Sequence, residues 1–521
     1  MDHPWDRRLG VWYIAEDQPE AMAVLASPQG TRTYAQLVAN ANQIVHTFRS
    51  LGLTQGSVVA AMLPNGVDII EISLACQQAG WLLTPLNTAL TPAEVDAIIQ
   101  HSGAALLVVH EKFSSLITES KGEHATSRPV IRTVAIGEIA GVESLELLRS
   151  SQPTNTPENR SSGALFPYSS GTTGKPKGIR RAASTKDPSA EGNIAALFGR
   201  AFDFRPFEGP HLVTTAMYHV GSHVYYMGAL HVGHALIVCD KFDPQDTLLL
   251  IDKHAVTTAY MVPTQFVRLL RLPAETRAKY NVSSLHSIVH SAAPCPRDVK
   301  EKMMAWWGPV IWETYGGTEG AATIAKPQRW LEKPGTVGRA VRGVEVVILN
   351  EDGQELPSGE IGQIYMQTEG GFNYHDDADG TKQAFRGKRF TIGDVGYLDA
   401  DGYLFISDRI KDMVITGGVN VYPAEIEGVL HAHPAVDDVA VIGVPDAEWG
   451  ESIKAIVQLA PGFLPGPEVQ DELIEFCRNR LASFKCPRTV DFRDELPRTD
   501  AGKLYKRRLR DEYWAESERQ V

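Results

Sequence analysis

Two rhythms of apolar residues divide the chain. SVVAAML (57–63), WLLTPLN (81–87) and ALLVVH (105–110) are short, unbroken apolar runs, as expected of buried strands. Between them, NGVDIIEISLACQQAG (65–80) and TPAEVDAIIQHSG (91–103) repeat at the helical period. Strands alternating with helices predict a parallel sheet covered by helices. The polar, turn-rich segment SSQPTNTPENRSSG (150–163) then reads as a connector. A second alternating region follows to about residue 330, with strands in HLVTTAM (211–217), ALIVCD (235–240), TTAYMVP (257–263) and LHSIVHSAA (285–293), and a helix in PTQFVRLLRL (263–272).

From Gly335 to Asp408 the rhythm changes. VEVVILNEDGQELPSGEIGQIYMQT (344–368) alternates and breaks at DG and SG, predicting antiparallel structure in a small barrel or sheet. Beyond it, VYPAEIEGVLHAHP and EVQDELIEFCRNRLASF read as helices, and VDDVAVIGVPD and IKAIVQLA as strands, a separate α+β unit of about 110 residues. The expected fold is therefore α/β: a large N-terminal domain of two helix-covered, mostly parallel sheets with a small β-barrel-like subdomain, then a small α+β C-terminal domain.

Composition narrows the function classes. The 50 Lys and Arg against 63 Asp and Glu give a net charge of −13, the wrong sign for a protein whose main partner is nucleic acid or an anionic membrane. Five scattered cysteines without a CxxC pair give neither a disulfide framework nor a structural zinc site. The acidic N-terminus does not read as a signal peptide, and no run of about 18 apolar residues offers a membrane span. A soluble cytoplasmic protein is expected, with a homodimer as the default assembly.

The densest chemical signal is YSSGTTGKPKG (168–178). Gly171, Gly174 and Gly178 allow close backbone approach, the hydroxyls of Ser169, Ser170, Thr172 and Thr173 can donate to phosphate oxygens, and Lys175 and Lys177 add positive charge. This reads as a polyphosphate cradle. It is not a Walker A loop, since Pro176 rather than Ser or Thr follows the lysine.

That segment closely resembles the phosphate loop of the adenylate-forming superfamily of acyl-CoA synthetases, adenylation domains and firefly-type luciferases. The resemblance continues in order. HSAAPCP (290–296) is similar to the family's adenine-pocket strand end, WETYGGTEG (312–320) to its adenine and metal motif, and FTIGDVGYLD (390–399) to its ribose motif. ISDRIKDMVITGGVNVYPAEIE (406–427) resembles the hinge region and LPRTDAGKLYKRRL (496–509) the C-terminal lysine motif. The resemblance implies an N-terminal AMP- and acyl-binding domain over 1–408, a hinge over 409–412 pivoting at Lys411, and a mobile C-terminal domain over 413–521.

It also implies roles. Ser291, Ala292, Ala293, Glu313, Thr314, Tyr315 and Gly316 would bind the nucleotide, with Tyr315 as the stacking face for adenine, Thr318 bonding the α-phosphate, and Asp394 and Arg409 holding ribose or phosphate. Glu319 would ligate Mg²⁺, and Lys503 would stabilise charge developing during adenylation. His219, in MYHVGSH (217–223), would gate the acyl pocket, although a histidine opening a helix also fits. Tyr225, Tyr226, Gly316 and Gly317 would line that pocket, with Met227, Gly221 and Gly228 adding bulk or room. Gly417 and Gly418 would pass pantetheine, and Trp449, Phe484 and Lys485 would meet the CoA nucleotide.

Two positions depart from the family pattern: Ile392 stands where Thr is frequent before Gly-Asp, and Gly317 where a larger residue is common. Gly317 is expected to deepen the acyl pocket. The basic C-terminal stretch, with Lys485, Arg488, Lys503, Lys506, Arg507, Arg508 and Arg510, is either a solvated face or a seat for the CoA phosphates.

The expected activity is an ATP- and CoA-dependent carboxylic acid:CoA ligase acting on a medium-to-long-chain or bulky, aromatic or steroid-like acid. ATP, Mg²⁺ and CoA are its expected co-substrates and cofactor. An amino-acid adenylation domain is disfavoured because MYHVGSH offers no Asp for an ammonium group, and a fused carrier domain because only residues 504–521 follow Lys503. Luciferases typically carry a C-terminal SKL, whereas this chain ends SERQV. The alternatives kept are an acyl-AMP ligase that delivers to another acceptor and a catalytically silent nucleotide or acyl-CoA sensor.

Overall fold

A computed structural model describes residues 4–118, 131–169, 177–181, 184–368, 371–416, 419–446, 449–498 and 504–515. Its first sheet has six strands, all paired in parallel, with Val58–Met62 between Leu82–Pro85 and Ala104–His110. Val58–Met62 is buried throughout, which explains why it reads as an unbroken apolar run. The helix Pro92–Ser102 starts on a capping box between Thr91 and Glu94, with Pro92 in its first turn, and stops at Gly103 in the left-handed conformation.

The second sheet has nine strands. Its centre is parallel, running Ile311–Gly317, Ser287–His290, Thr258–Met261, His211–Val213, Leu236–Val238. Its edges are not. Gly320–Ala325 folds back antiparallel on Ile311–Gly317, and Arg339–Ala340 pairs antiparallel beyond it. At the other end Met22–Ala26 joins Leu236–Val238 in parallel and carries the edge strand Arg32–Thr33 antiparallel, so the first described strand belongs to the second sheet and not the first.

The segment expected to be a small barrel forms a six-stranded antiparallel sheet. Glu345–Leu349 pairs with Gly362–Gln367, and Asp394–Leu398 with Leu404–Arg409. After the short 3₁₀ turn Ile410–Asp412, the smaller C-terminal unit packs helices Pro423–His431 and Pro467–Arg478 on a five-stranded mixed sheet built round Val436–Asp446 and Gly450–Leu459. Among the described residues no helix is long and apolar enough to cross a membrane.

Candidate functional site

A cleft of about 2730 Å³ opens where the parallel strands of the nine-stranded sheet end, bounded by the antiparallel sheet and the C-terminal unit. Thr318 and Glu319 form the two-residue turn between the paired strands Ile311–Gly317 and Gly320–Ala325, which carries both side chains to the cleft wall. Tyr374, on the short strand Asn373–Tyr374, donates its hydroxyl to Glu319 Oε1 at 2.9 Å and fixes one carboxylate oxygen. Lys177 leaves the glycine-rich loop on the strand Lys177–Arg180, with its Nζ 4.7 Å above the Tyr374 ring and 3.5 Å from Asp377. The wall also holds Tyr168, Ser291, Ala292, Ala293, Thr314, Gly316, Gly317, Arg409 and Lys411. Ala292 takes a left-handed φ of 74°, a strained conformation for a residue with a Cβ.

Asp394 lies behind this wall, 4% exposed. The Tyr315 hydroxyl donates to its Oδ2 at 2.8 Å, and Arg409 Nε lies 3.2 Å from its Oδ1. Burial, and then the Asp394 charge, raise the Tyr315 phenol well above its usual range, so it stays a donor. The Tyr315 ring is buried in the core of the antiparallel sheet.

Part of the cleft wall is aromatic. Tyr225 lies against Tyr260 with ring centroids 4.6 Å apart and planes 8° from parallel, and Tyr260 exchanges a 2.8 Å hydrogen bond with Ser291. Gly221 permits this: a Cβ there would lie 2.6 Å from the Tyr260 hydroxyl oxygen. His219 caps the helix Val220–Val232 and lines the cleft, its ring 4.4 Å from that of Tyr218.

The remaining predicted residues divide between the cleft and the interior. Tyr226 is fully buried, its hydroxyl 2.8 Å from His223 Nδ1, because one residue along a helix turns the side chain about 100° away from Tyr225. Glu313 lies outside the cleft lining. It is buried with Lys300 Nζ at 2.7 Å and His290 Nε2 at 3.5 Å, and although burial opposes its ionisation, these neighbours hold its carboxyl at about 2. Gly317 does line the cleft, yet a Cβ there would sit 2.6 Å from Glu319 Oε2 and 3.4 Å from the Ile392 side chain. The two departures from the family pattern are thus neighbours: Ile392 lies at van der Waals distance from where a Cβ at 317 would stand. Gly228 and Met227 belong to the interior, outside the cleft lining; the nearest atom to a Cβ on Gly228 would be Phe198 Cδ1, at 3.8 Å.

Ser170, Gly171, Thr172, Thr173, Gly174, Lys175, Gly417, Gly418 and Lys503 lie outside the described residues, as does the side chain of Ser169. The segments on either side of Lys503 reach the cleft through Leu496, Arg498, Leu504 and Tyr505. Trp449 and Phe484 are exposed on the C-terminal unit and, like Lys485, are not brought to the cleft. The basic stretch is largely paired. Lys485 meets Glu425, Lys506 meets Glu427, Arg507 meets Asp511, and Arg488 meets Asp446 and lies 4.8 Å over Trp449.

The sequence reading missed Tyr374 and Tyr260, which no local motif marks. Both are brought to the site by pairing between distant segments. One interdomain contact is similarly nonlocal: Arg271, after the helix Pro263–Leu270, donates to the Asp437 carbonyl at 2.7 Å and pairs with its carboxylate.

Residues 11–373 match the family described as "AMP-binding enzyme", and residues 425–503 its C-terminal domain. A fatty acid–[acyl-carrier-protein] ligase of Streptomyces coeruleorubidus is 32% identical over 98% of this chain and 96% of its own. A feruloyl-CoA synthase of an Amycolatopsis species is 32% identical over 96% and 98%. Among solved structures, an anthranilate CoA ligase in complex with anthranoyl-AMP superposes with a TM-score of 0.85 at 26% identity, covering 98% of both chains. ATP-bound MatB from Rhodopseudomonas palustris gives 0.82 at 30%, covering 97% of this chain and 99% of its own.

Proposed function

Because this chain belongs to the AMP-binding enzyme family, we propose that it is an ATP- and CoA-dependent carboxylic acid:CoA ligase, forming acyl-AMP and pyrophosphate and then acyl-CoA and AMP. The observation that carries this reading is one continuous cleft lined together by Thr318, Glu319 and Arg409, by Tyr225 and Tyr260, and by the segments flanking Lys503.

A carboxylate oxygen is a poor leaving group, so the acid must be activated. In the first step the substrate carboxylate attacks the α-phosphorus of ATP in line, a P–O bond forms, and pyrophosphate leaves with the electron pair. Thr318 donates a hydrogen bond to the α-phosphate, Arg409 holds ribose or phosphate, and Lys503 offsets the negative charge that builds on the transferring oxygens. Glu319 suits a hard cation: it is a carboxylate at the cleft wall, and no group of three or more ligating side chains occurs among the described residues, so Mg²⁺ would be held jointly with the ATP phosphates and would neutralise their charge. In the second step the CoA thiolate attacks the acyl carbon and AMP departs. The division into 1–408, a pivot at Lys411 and 413–521 belongs to this reading, with the C-terminal domain serving the two steps in two orientations.

The aromatic wall supports a bulky or aromatic acid, with a medium-to-long chain as the other fit. The likeness to a carrier-protein ligase favours a second reading of the acceptor, in which acyl-AMP passes to a carrier thiol. The test is Lys503→Ala. It is expected to abolish acyl-AMP formation from acid and ATP while sparing acyl-CoA formation from supplied acyl-AMP. Equal loss of both half-reactions contradicts the assignment, and a wild-type enzyme that thioesterifies only a carrier protein selects the second acceptor.

A further inference from the structure

The turn that presents Thr318 and Glu319 is mechanically weak. A two-residue hairpin turn follows the strand twist when its central residues take positive φ, as in types I′ and II′. Neither Thr318 nor Glu319 has positive φ, and the pairing of their strands slips between Tyr315 and Gly316. The turn carbonyls also point away from the ladder and need donors from elsewhere. Arg181 supplies them, its Nη2 donating to Thr318 O at 2.8 Å and to Glu319 O at 3.0 Å. It lines the cleft one residue beyond the strand Lys177–Arg180, which pairs Ile179 with Tyr374, the residue that holds the Glu319 carboxylate. The guanidinium is partly desolvated, and the Glu319 charge opposes the resulting fall in its pKa.

We propose that Arg181 is a positioning residue for adenylation: it clamps the backbone of the Thr318–Glu319 turn to the strand leaving the glycine-rich loop, so that the Glu319 carboxylate is aimed at the Mg²⁺–ATP phosphates before they bind. This rests on the nucleotide reading of the cleft. A planar fork can satisfy two carbonyls at once, whereas an ammonium or a carboxamide holds the turn less completely. Replacing Arg181 should loosen the coupling between Mg²⁺ and ATP more than ATP binding itself.

The test is calorimetric titration of ATP into the full chain with Mg²⁺ and with EDTA, for the wild type, Arg181→Ala, Arg181→Lys and Tyr374→Phe. The wild type should bind ATP more tightly with Mg²⁺. Arg181→Ala should shrink that ratio at least tenfold and raise the Mg²⁺ midpoint for acyl-AMP formation, with the melting temperature and the KM for the acid nearly unchanged. Arg181→Lys should restore part of the ratio, and Tyr374→Phe should reduce it through the carboxylate alone. An unchanged ratio in a folded Arg181→Ala, or in Arg181→Lys and Tyr374→Phe should the alanine variant fail to fold, overturns the proposal. A wild-type chain that binds no ATP overturns instead the nucleotide reading on which it rests.

Discussion

Glu313 and Lys300 show how a motif residue can serve the interior. Glu313 sits in a motif whose neighbours line the cleft, but along the strand Ile311–Gly317 alternate side chains face opposite sides, so it points inward to Lys300 and His290. Lys300 is 0% exposed and also lies 4.6 Å from the Trp330 ring centroid. Removing one partner leaves the other charge buried without compensation. Lys300→Met is expected to cost about 3–5 kcal/mol in chemical denaturation, and Lys300→Met combined with Glu313→Leu to recover most of it. A single-variant cost under about 1 kcal/mol would mean that the pair is not buried as described. At this scale the sequence was legible for residue type and less so for direction. Thr318, Glu319 and Arg409 line the cleft, whereas Tyr226 and Glu313 face the interior, and a motif names residues without fixing which face each presents. Ile392 and Gly317 were each visible as departures, yet only the fold shows that they are neighbours.

Elements declared themselves wherever burial was uniform or periodic. Val58–Met62 and Thr258–Met261, buried on both faces, read as apolar runs, and the helix Pro92–Ser102 showed in its apolar period. Their partners were less legible. Nothing local says that Met22–Ala26 pairs with Leu236–Val238 or that Tyr374 lies beside Ile179, because strand pairing between distant segments leaves no periodic trace. The same holds for the contact between the helix Pro263–Leu270 and the strand Val436–Asp446 through Arg271 and Asp437. This contact ties the C-terminal unit to the larger one with the segments flanking Lys503 at the cleft, and on the proposed two-step reading it favours that orientation. Arg271→Ala is therefore expected to slow acyl-AMP formation about fivefold, equivalent to ~1 kcal/mol, while acyl-CoA formation from supplied acyl-AMP is unchanged or faster. Separate assays of the half-reactions read this directly, and equal slowing of both would remove the latch from the account.

At the scale of the whole molecule, His211, His223, His231 and His234 are buried in the neutral form. Burial lowers His211 and His223 to about 3, and His231 and His234 to about 4. The Thr258 hydroxyl lies 2.9 Å from His211 Nδ1 and 3.2 Å from His234 Nδ1, and His231 Nδ1 accepts from the Val11 amide. In the unfolded chain these groups titrate near 6.5, so unfolding takes up protons as the pH falls below that value. Their contribution to stability is full above about pH 6.5 and is lost as the pH falls toward 4 and then 3, at about 1.4 kcal/mol per pH unit for each histidine. Denaturant midpoints should fall steeply between pH 7 and pH 5, and an unchanged midpoint would contradict the neutral, buried assignment. The central claim is that the cleft joins a carboxylic acid to a thiol through acyl-AMP. Its most direct test is mass spectrometry of the products formed from ATP, Mg²⁺, CoA and a mixed library of aliphatic, aromatic and steroidal acids. The account predicts AMP and one class of acyl-CoA, both dependent on ATP; a chain that turns over no ATP with any acid in the library and yields neither acyl-AMP nor thioester would contradict it.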